Sequence, residues 1–299
     1  MSDERRGQLV LVATPIGNLG DLSPRAREVL ATADLICCED TRRTRALLSA
    51  SGITAKGPHG DRLLSLHGHN EASRLERVAA VVAGGATVAV VSDAGTPGIS
   101  DPGAWLAAQL ADAGATVSTV PGPSSVLGAL VVSGLPADRF CVEGFLPRKG
   151  PERRRRLGAL MADARTTVVL EAPNRVAATL AELAATDEAR PVAVVRELTK
   201  LHEEVWRGTL GEAATVFAAR EVRGEVVLVI GGAPAAAPAG EDDVEAAVRA
   251  ALGDDPSAGP RQAAELVAAS LGVPRRRAYE AALRVRESAG GERETSDRG

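Results

Sequence analysis

Between residues 8 and 133, short β-branched runs alternate with longer stretches in which apolar residues recur every three or four positions. QLVLVAT (8–14), DLICC (34–38), 63–66, 87–91 and TVSTV (116–120) read as strands. The segments 24–32, 42–50, 71–83, 102–113 and 124–133 read as amphipathic helices. Strands and helices alternating at this spacing make βαβ units, and βαβ units make a parallel sheet. Two helix starts carry an explicit signal: Ser23-Pro24 and Asp101-Pro102 each set a capping side chain before a proline at the first helical position.

The pattern changes after GFLPRKG (144–150). A charged helix over 151–163 leads into TTVVLEAPNR (166–175), a helix to about 185, and strands at 192–196, 203–208 and 225–230. Two strands joined by as little as LTKLH predict a partly antiparallel, mixed sheet. The small, proline-rich GGAPAAAPAGED (231–242) reads as a linker. Three short helices follow, at 243–253, 261–271 and 275–288, and GGERETSDRG reads as disordered. ELVAASLGVPRRRAYEAALRV has the order of a helix-turn-helix, although any small helical hairpin gives the same pattern.

Composition narrows the class. At 299 residues and 45% hydrophobic content the chain supports two domains, and with 2% aromatics its cores depend on Val, Leu and Ala. No apolar run reaches membrane-span length, and MSDERRGQ has no signal-peptide core. Three cysteines, two of them the adjacent Cys37 and Cys38, give no disulfide framework and fit a reducing cytoplasm. A net charge of −4 argues against a general nucleic-acid binder, yet arginines cluster at 42–45, 148–156 and 275–277.

In an open parallel sheet, ligands bind beyond the carboxyl ends of the strands. Four strand ends here run into glycine- and proline-rich loops or charged turns: ATPIGNLGDL (13–22), EDTRRT (39–44), SDAGTPGISDPG (92–103) and PGPSS (121–125). No loop matches a phosphate loop, the first strand lacks G-x-G-x-x-G, and no G-x-S-x-G elbow occurs. His67 and His69 lack Cys or His partners, so no metal site is expected. The residues by themselves give a metal-independent small-molecule site.

Taken together the loops resemble one family. VATPIGNLGDLSPRA, CEDTRRTRALL, HGHNEASR, VSDAGTPGISDPG, VPGPSS, SGLPADRFCVEGFLPRKG, LEAPNR, RELTKLHEEVWRG and GEVVLVI stand in this order between residues 12 and 230. The series looks like the bacterial 16S rRNA cytidine 2′-O-methyltransferases, a branch of the tetrapyrrole (corrin/porphyrin) methylase superfamily. Gly68 departs from that pattern, where an acidic residue is usual.

The resemblance implies α/β architecture: a parallel-sheet N-terminal domain over 8–121 and a mixed-sheet second domain over 122–232. It places S-adenosylmethionine in the cleft between them, with S-adenosylhomocysteine as product and no metal. A linker over 233–242, a small helical domain over 243–288 and a disordered 289–299 complete the expected organisation. It further implies 16S rRNA within the small ribosomal subunit as partner, a homodimer, no membrane association and a cytoplasmic location. The implied cofactor contacts are Pro15, Asp93, Ala94, Gly95, Thr96, Ile99, Ser124, Ser125, Leu170, Glu171, Ala172 and Leu198.

The implied reaction needs a group to take the proton of a ribose 2′-hydroxyl. Asp40 is the first candidate, with Glu39 and Lys200 beside it. Asp40 equally suits a loop brace paired to Arg42, and Lys200 a partner of Glu197 or Glu203. With so few aromatics, RNA recognition is expected to rest on phosphate contacts from Arg42, Arg43, Arg148, Lys149, Arg153, Arg154, Arg275 and Arg276. A corrin or porphyrin C-methyltransferase, or a non-catalytic cofactor- or RNA-binding protein, remains the alternative reading.

Overall fold

The computed structural model describes residues 7–58, 60–234, 239–254 and 259–296. The chain divides into two compact units, Met1–Ala233 and Pro234–Gly299.

The first unit contains two sheets. In the first sheet, β1 (Gln8–Val12), β2 (Leu35–Cys38), β5 (Leu63–Ser65), β6 (Thr87–Val91) and β7 (Thr116–Val120) lie in the order β5-β2-β6-β1-β7. All of their pairings are parallel. A two-stranded hairpin, β3 (Lys56–Gly57) with β4 (Gly60–Asp61), precedes β5. Because β6 enters between β1 and β2, the loops after β2, β6, β1 and β7 emerge side by side. Such a switch point is where open sheets hold ligands.

Helices α1 (Pro24–Thr32) and α2 (Thr41–Ala50) cover one face, where Leu30 and Leu48 pack on Val10, Val12, Ile36 and Val91. On the other face α3 (Glu71–Ala83) and α4 (Ala104–Asp112) bring Val78, Val82, Leu106 and Leu110 against Leu9, Leu64, Val88 and Val90. Ser23 caps α1 as its sequence predicts, accepting from the Ala26 amide at 3.1 Å. The same expectation fails for Asp101. Helix α4 begins at Ala104 on Gly103, whose φ is +117°, and Asp101 makes no cap. The capping carboxylate comes from α3: Glu71 Oε1 accepts from the amides of Gly103 (3.0 Å) and Leu106 (3.1 Å). Local sequence cannot show a cap supplied from 32 residues away.

The second sheet has the order β11-β10-β12-β9-β8, built from β8 (Phe140–Phe145), β9 (Thr166–Glu171), β10 (Pro191–Arg196), β11 (Glu204–Thr209) and β12 (Val226–Ile230). β8 and β9 are parallel, whereas the other neighbours are antiparallel, which is the mixed sheet that the short connections predict. Helix α5 (Ser125–Ser133) leaves the first sheet and buries Val126, Ala129 and Leu130 against one face of the second. The opposite face packs on α6 (Pro151–Ala162), α7 (Val176–Ala184) and α8 (Leu210–Ala218). Strand β8 and helix α8 are not anticipated by the apolar pattern. A bulge between Val142 and Gly144 breaks the alternation of β8. Helix α8 follows β11 without a loop, and only its capping box of Thr209 and Glu212 marks the start.

The second unit packs α9 (Glu241–Asp254), α10 (Pro260–Leu271) and α11 (Arg275–Ser296) around Val244, Val248, Val267, Ala278 and Ala281. Helix α10 ends on Gly272 in the left-handed conformation (φ +63°), the usual device for turning a chain out of a helix. Helix α11 is longer than the 275–288 expected from the sequence. It continues through residue 296, since each residue added to an anchored helix brings one more backbone hydrogen bond. Residues 297–299, and 235–238 of the expected linker, lie outside the described residues.

Candidate functional site

A cavity of about 400 Å³ lies where the loops of the first sheet face the strand ends of the second. That size suits a drug-sized ligand. The loop after β6 forms one wall through Asp93, Ala94, Gly95, Thr96, Ile99, Ser100 and Asp101. Ser124 and Ser125 at the start of α5, Leu170 to Pro173 after β9, and Gly224 to Val227 leading into β12 form the other walls. Ile16, Arg43, Val126 and Phe145 complete the lining.

The β6 loop is shaped by its own backbone. Thr14 and Gly95 exchange paired amide–carbonyl bonds of 2.9 and 3.0 Å, tying the β1 loop to the β6 loop. Thr96 Oγ1 donates to the Pro123 carbonyl at 3.2 Å, tying in the loop after β7. Gly95 adopts φ +88°, where any side chain is strained and a Cβ would meet Ile16 at 3.4 Å. Three loops from three adjacent strands are thereby fixed as one surface.

Carboxylates dominate the charge of this wall. Asp93 accepts from the Asp40 amide at 3.1 Å and pairs with Arg43 at 3.3 Å. The Asp101 carboxyl is pushed up to about 6 by burial and by the negative charges of Glu39 and Asp93, against a hydrogen bond from Ser92. Glu39 is raised in the same way, by burial and Asp93, with Arg43 and His67 opposing. Asp93 and Asp101 thus bring two carboxylates to the cavity lining, and the charge of Glu39, which lies outside that lining, adds to the repulsion that raises Asp101.

The facing wall holds its carboxylate differently. Glu171 is almost wholly buried, pairs with Arg175 at 2.5 Å, and accepts from Thr179 Oγ1 at 2.7 Å and from the Ala172 amide at 2.8 Å. Arg153 joins the same network, donating to Thr179 Oγ1 (2.9 Å), Glu182 (2.9 Å) and the Pro147 carbonyl (3.0 Å).

Ten of the twelve expected cofactor contacts line the cavity. Pro15 does not, its neighbour Ile16 taking that place, and Leu198 lies instead in an adjoining recess of about 490 Å³ with Pro123 and Leu127. Glu171 contributes its position but not a free carboxylate. The lining residues that sequence reading passed over are Ile16, Ser100, Asp101, Val126, Phe145, Pro173 and Gly224 to Val227. Asp101 was hidden by its resemblance to a helix cap.

The structure distinguishes the surroundings of the candidate proton acceptors. Asp40 caps α2, accepting from the Arg42 amide at 2.8 Å, and neither it nor Glu39 is in the cavity lining. Hydrogen bonds from the Arg42 side chain and amide hold its carboxyl down at about 2, which makes a weak base. Lys200 is bound to Glu197 at 2.9 Å and Glu225 at 3.2 Å. Burial draws its pKa down, but those hydrogen bonds outweigh burial and keep the amine protonated. Glu39, at the carboxyl end of β2, has no hydrogen-bond or ion-pair partner among the described residues.

The expected phosphate contacts divide likewise. Arg148, Lys149 and Arg154 are exposed and without ion-pair partners among the described residues. Arg153 is buried in the network above, so it is not a surface contact. Arg42 is paired with Asp40, and Arg43 faces the cavity beside Asp93. In the second unit Arg275 pairs with Glu265 and Arg276 with Glu280, around a surface recess that also includes Arg261 and Tyr279. Among the described residues no cluster of three metal-binding side chains occurs, and no helix is long and apolar enough to cross a membrane.

Comparison with known proteins agrees with this geometry. The family model of the tetrapyrrole (corrin/porphyrin) methylases matches residues 8–214. Ribosomal RNA small subunit methyltransferase I of Mycobacterium tuberculosis is 47% identical over 289 residues, covering 95% of this chain and 98% of that protein. The protein of the same name from Escherichia coli O157:H7 is 44% identical, covering 77% and 80%. Among solved structures, the methyltransferase CobJ superposes with a TM-score of 0.56 at 20% identity, covering 78% of this chain and 98% of that one. Uroporphyrin-III C-methyltransferase from Thermus thermophilus, complexed with S-adenosyl homocysteine, superposes with a TM-score of 0.51 at 22% identity, covering 75% and 97%. These likenesses carry the fold, and the closer sequence matches carry the kinship: the chain belongs to the tetrapyrrole (corrin/porphyrin) methylases, in the group of the ribosomal RNA small subunit methyltransferases I.

Proposed function

We propose that the protein transfers a methyl group from S-adenosylmethionine to the ribose 2′-hydroxyl of a cytidine in 16S rRNA of the small ribosomal subunit. The observation that carries this reading is the match along nearly the whole mycobacterial relative, on a chain whose most distinctive loop is the cavity wall.

The residues present fit the cofactor. Its sulfonium and ammonium groups outweigh its one carboxylate, and the Asp93–Asp101–Glu39 cluster supplies the complementary charge. Ile16, Ile99, Leu170, Val226 and Val227 offer an apolar lining for a flat base. Bound there, S-adenosylmethionine supplies an activated methyl group and leaves as S-adenosylhomocysteine.

The chain's own task is then to align the hydroxyl and take its proton. Of Asp40, Glu39 and Lys200, Glu39 alone keeps an uncommitted carboxylate with its pKa moved upward, toward the range of an effective base. Glu39 is therefore the proton acceptor in this reading. Arg148, Lys149 and Arg154 meet phosphates, so RNA affinity falls steeply as salt rises.

The decisive experiment incubates the protein and labelled S-adenosylmethionine with small ribosomal subunits from a strain lacking the gene, then maps 2′-O-methyl marks. One new mark on a cytidine is the expected result. Label in a tetrapyrrole and none in rRNA overturns the reading.

A further inference from the structure

Phe145 is about half exposed although it lines the cavity. Single exposed apolar side chains are ordinary on protein surfaces. What sets Phe145 apart is the backbone beneath it. Three consecutive carbonyls are each held by a different arginine: Phe145 by Arg156 (3.5 Å), Leu146 by Arg175 (3.1 Å) and Pro147 by Arg153 (3.0 Å). Those arginines are themselves anchored on Glu143, Glu171 and Glu182.

Just before Phe145, strand β8 bulges between Val142 and Gly144, and Gly144 takes φ +68°. A bulge re-aims the side chains that follow it. A Cβ at Gly144 would lie 3.3 Å from the hydroxyl of Ser100 on the facing wall, so the glycine also lets the two walls approach. The outcome is an aromatic residue of fixed backbone in the lining shared with Asp93 and Asp101, in a chain with only three phenylalanines. Phe217, by contrast, is fully buried. The exposed Arg148, Lys149 and Arg154 follow within nine residues of Phe145.

We propose that Phe145 is the platform on which the base of the target nucleotide stacks when its ribose enters the cavity, with Arg148, Lys149 and Arg154 holding the neighbouring phosphates. This rests on the RNA-methylating function proposed above. A nucleotide must leave its stack for its sugar to reach a recessed methyl donor, and aromatic faces are the common receptors for such unstacked bases. A ring whose backbone is already fixed receives the base with little further loss of entropy.

The test compares wild type with Phe145→Ala, Phe145→Leu and Phe145→Trp. It measures S-adenosylmethionine affinity by calorimetry, small-subunit affinity by filter binding, and methylation kinetics. The Ala and Leu variants are expected to lose about ten- to hundredfold in kcat/KM for the subunit, the range that loss of one stacked base gives. The Trp variant stays near wild type, and cofactor affinity changes less than about twofold in all three. A Leu variant with wild-type kinetics overturns the proposal, because bulk without a π face then suffices. So does a fall in cofactor affinity that matches the loss of activity, which would make Phe145 part of the cofactor site. A wild-type protein that places no methyl group on small-subunit rRNA overturns the function itself, and is recognised before any variant is compared.

Discussion

The two walls of the cavity handle negative charge in opposite ways. On the second-sheet side, Glu171 is buried beneath the surface and satisfied by Arg175, Thr179 and a backbone amide. On the first-sheet side, Asp101, Glu39 and Asp93 crowd one another with Arg43 as the nearby cation. Paired charge holds a structure together, whereas repelling charge stores affinity for a ligand that is not yet there. Glu171 is therefore a residue of the fold that happens to line the cavity, and Asp101 a residue of the cavity that the fold tolerates.

Breaking the paired wall gives the largest effect. Glu171→Ala leaves the Arg175 guanidinium and the Thr179 hydroxyl without their partner, and is expected to cost about 3–5 kcal/mol of stability in urea unfolding. A change under about 1 kcal/mol would erase the distinction between the walls. Next comes the proton acceptor. Glu39→Gln is expected to lower kcat about hundredfold with cofactor affinity and Tm unchanged, and near-normal turnover would return the assignment to an unidentified group.

Asp101→Asn sharpens the comparison, because affinity and stability should move in opposite directions. Cofactor affinity falls about tenfold by calorimetry, while the Tm of the ligand-free protein at pH 7 rises. The sign follows from linkage: with its carboxyl raised to about 6, the folded chain holds that proton more tightly than the unfolded chain. The contribution of Asp101 to stability is thus fully present in acid and is lost as pH climbs from about 4 to about 6. Wild-type cofactor affinity runs the other way, falling as pH drops through about 6. An Asp101→Asn variant with unchanged affinity at pH 7 would remove Asp101 from the site.

The smallest effect is expected at Asp40. Asp40→Ala removes the side-chain cap of α2 and shifts Tm by a few degrees, while methyl transfer stays within about threefold of wild type. A loss of a hundredfold would restore Asp40 as the base.

Sequence and structure agree best where the physics is local. The strands of the first sheet are continuous apolar runs, and Ser23-Pro24 marks α1 because both the cap and the proline act within one turn. Ten residues of the cavity lining were legible through the resemblance of nine ordered motifs rather than through any property of a single loop. What escaped was contributed from a distance. The Glu71 cap of α4 crosses from another helix, and so frees Asp101 from the role that its sequence suggests. The arginines beneath Phe145 come from α6 and the turn after β9. Asp40 and Glu39 are adjacent in sequence, yet their carboxyls are shifted in opposite directions, because Arg42 bonds only the first.

The position of β6 has a consequence for how the chain folds. β1 and β2 are both complete by residue 38, yet they are not neighbours, and the gap between them is filled only by residues 87–91. Contacts so far apart in sequence form slowly, since loop closure must precede them. During synthesis the first sheet has no continuous core until β6 has emerged, and the cavity loop is the segment attached to that closing strand. Its wall can take shape only after the sheet has zipped shut, so a chain stalled before residue 91 is one with no cavity at all.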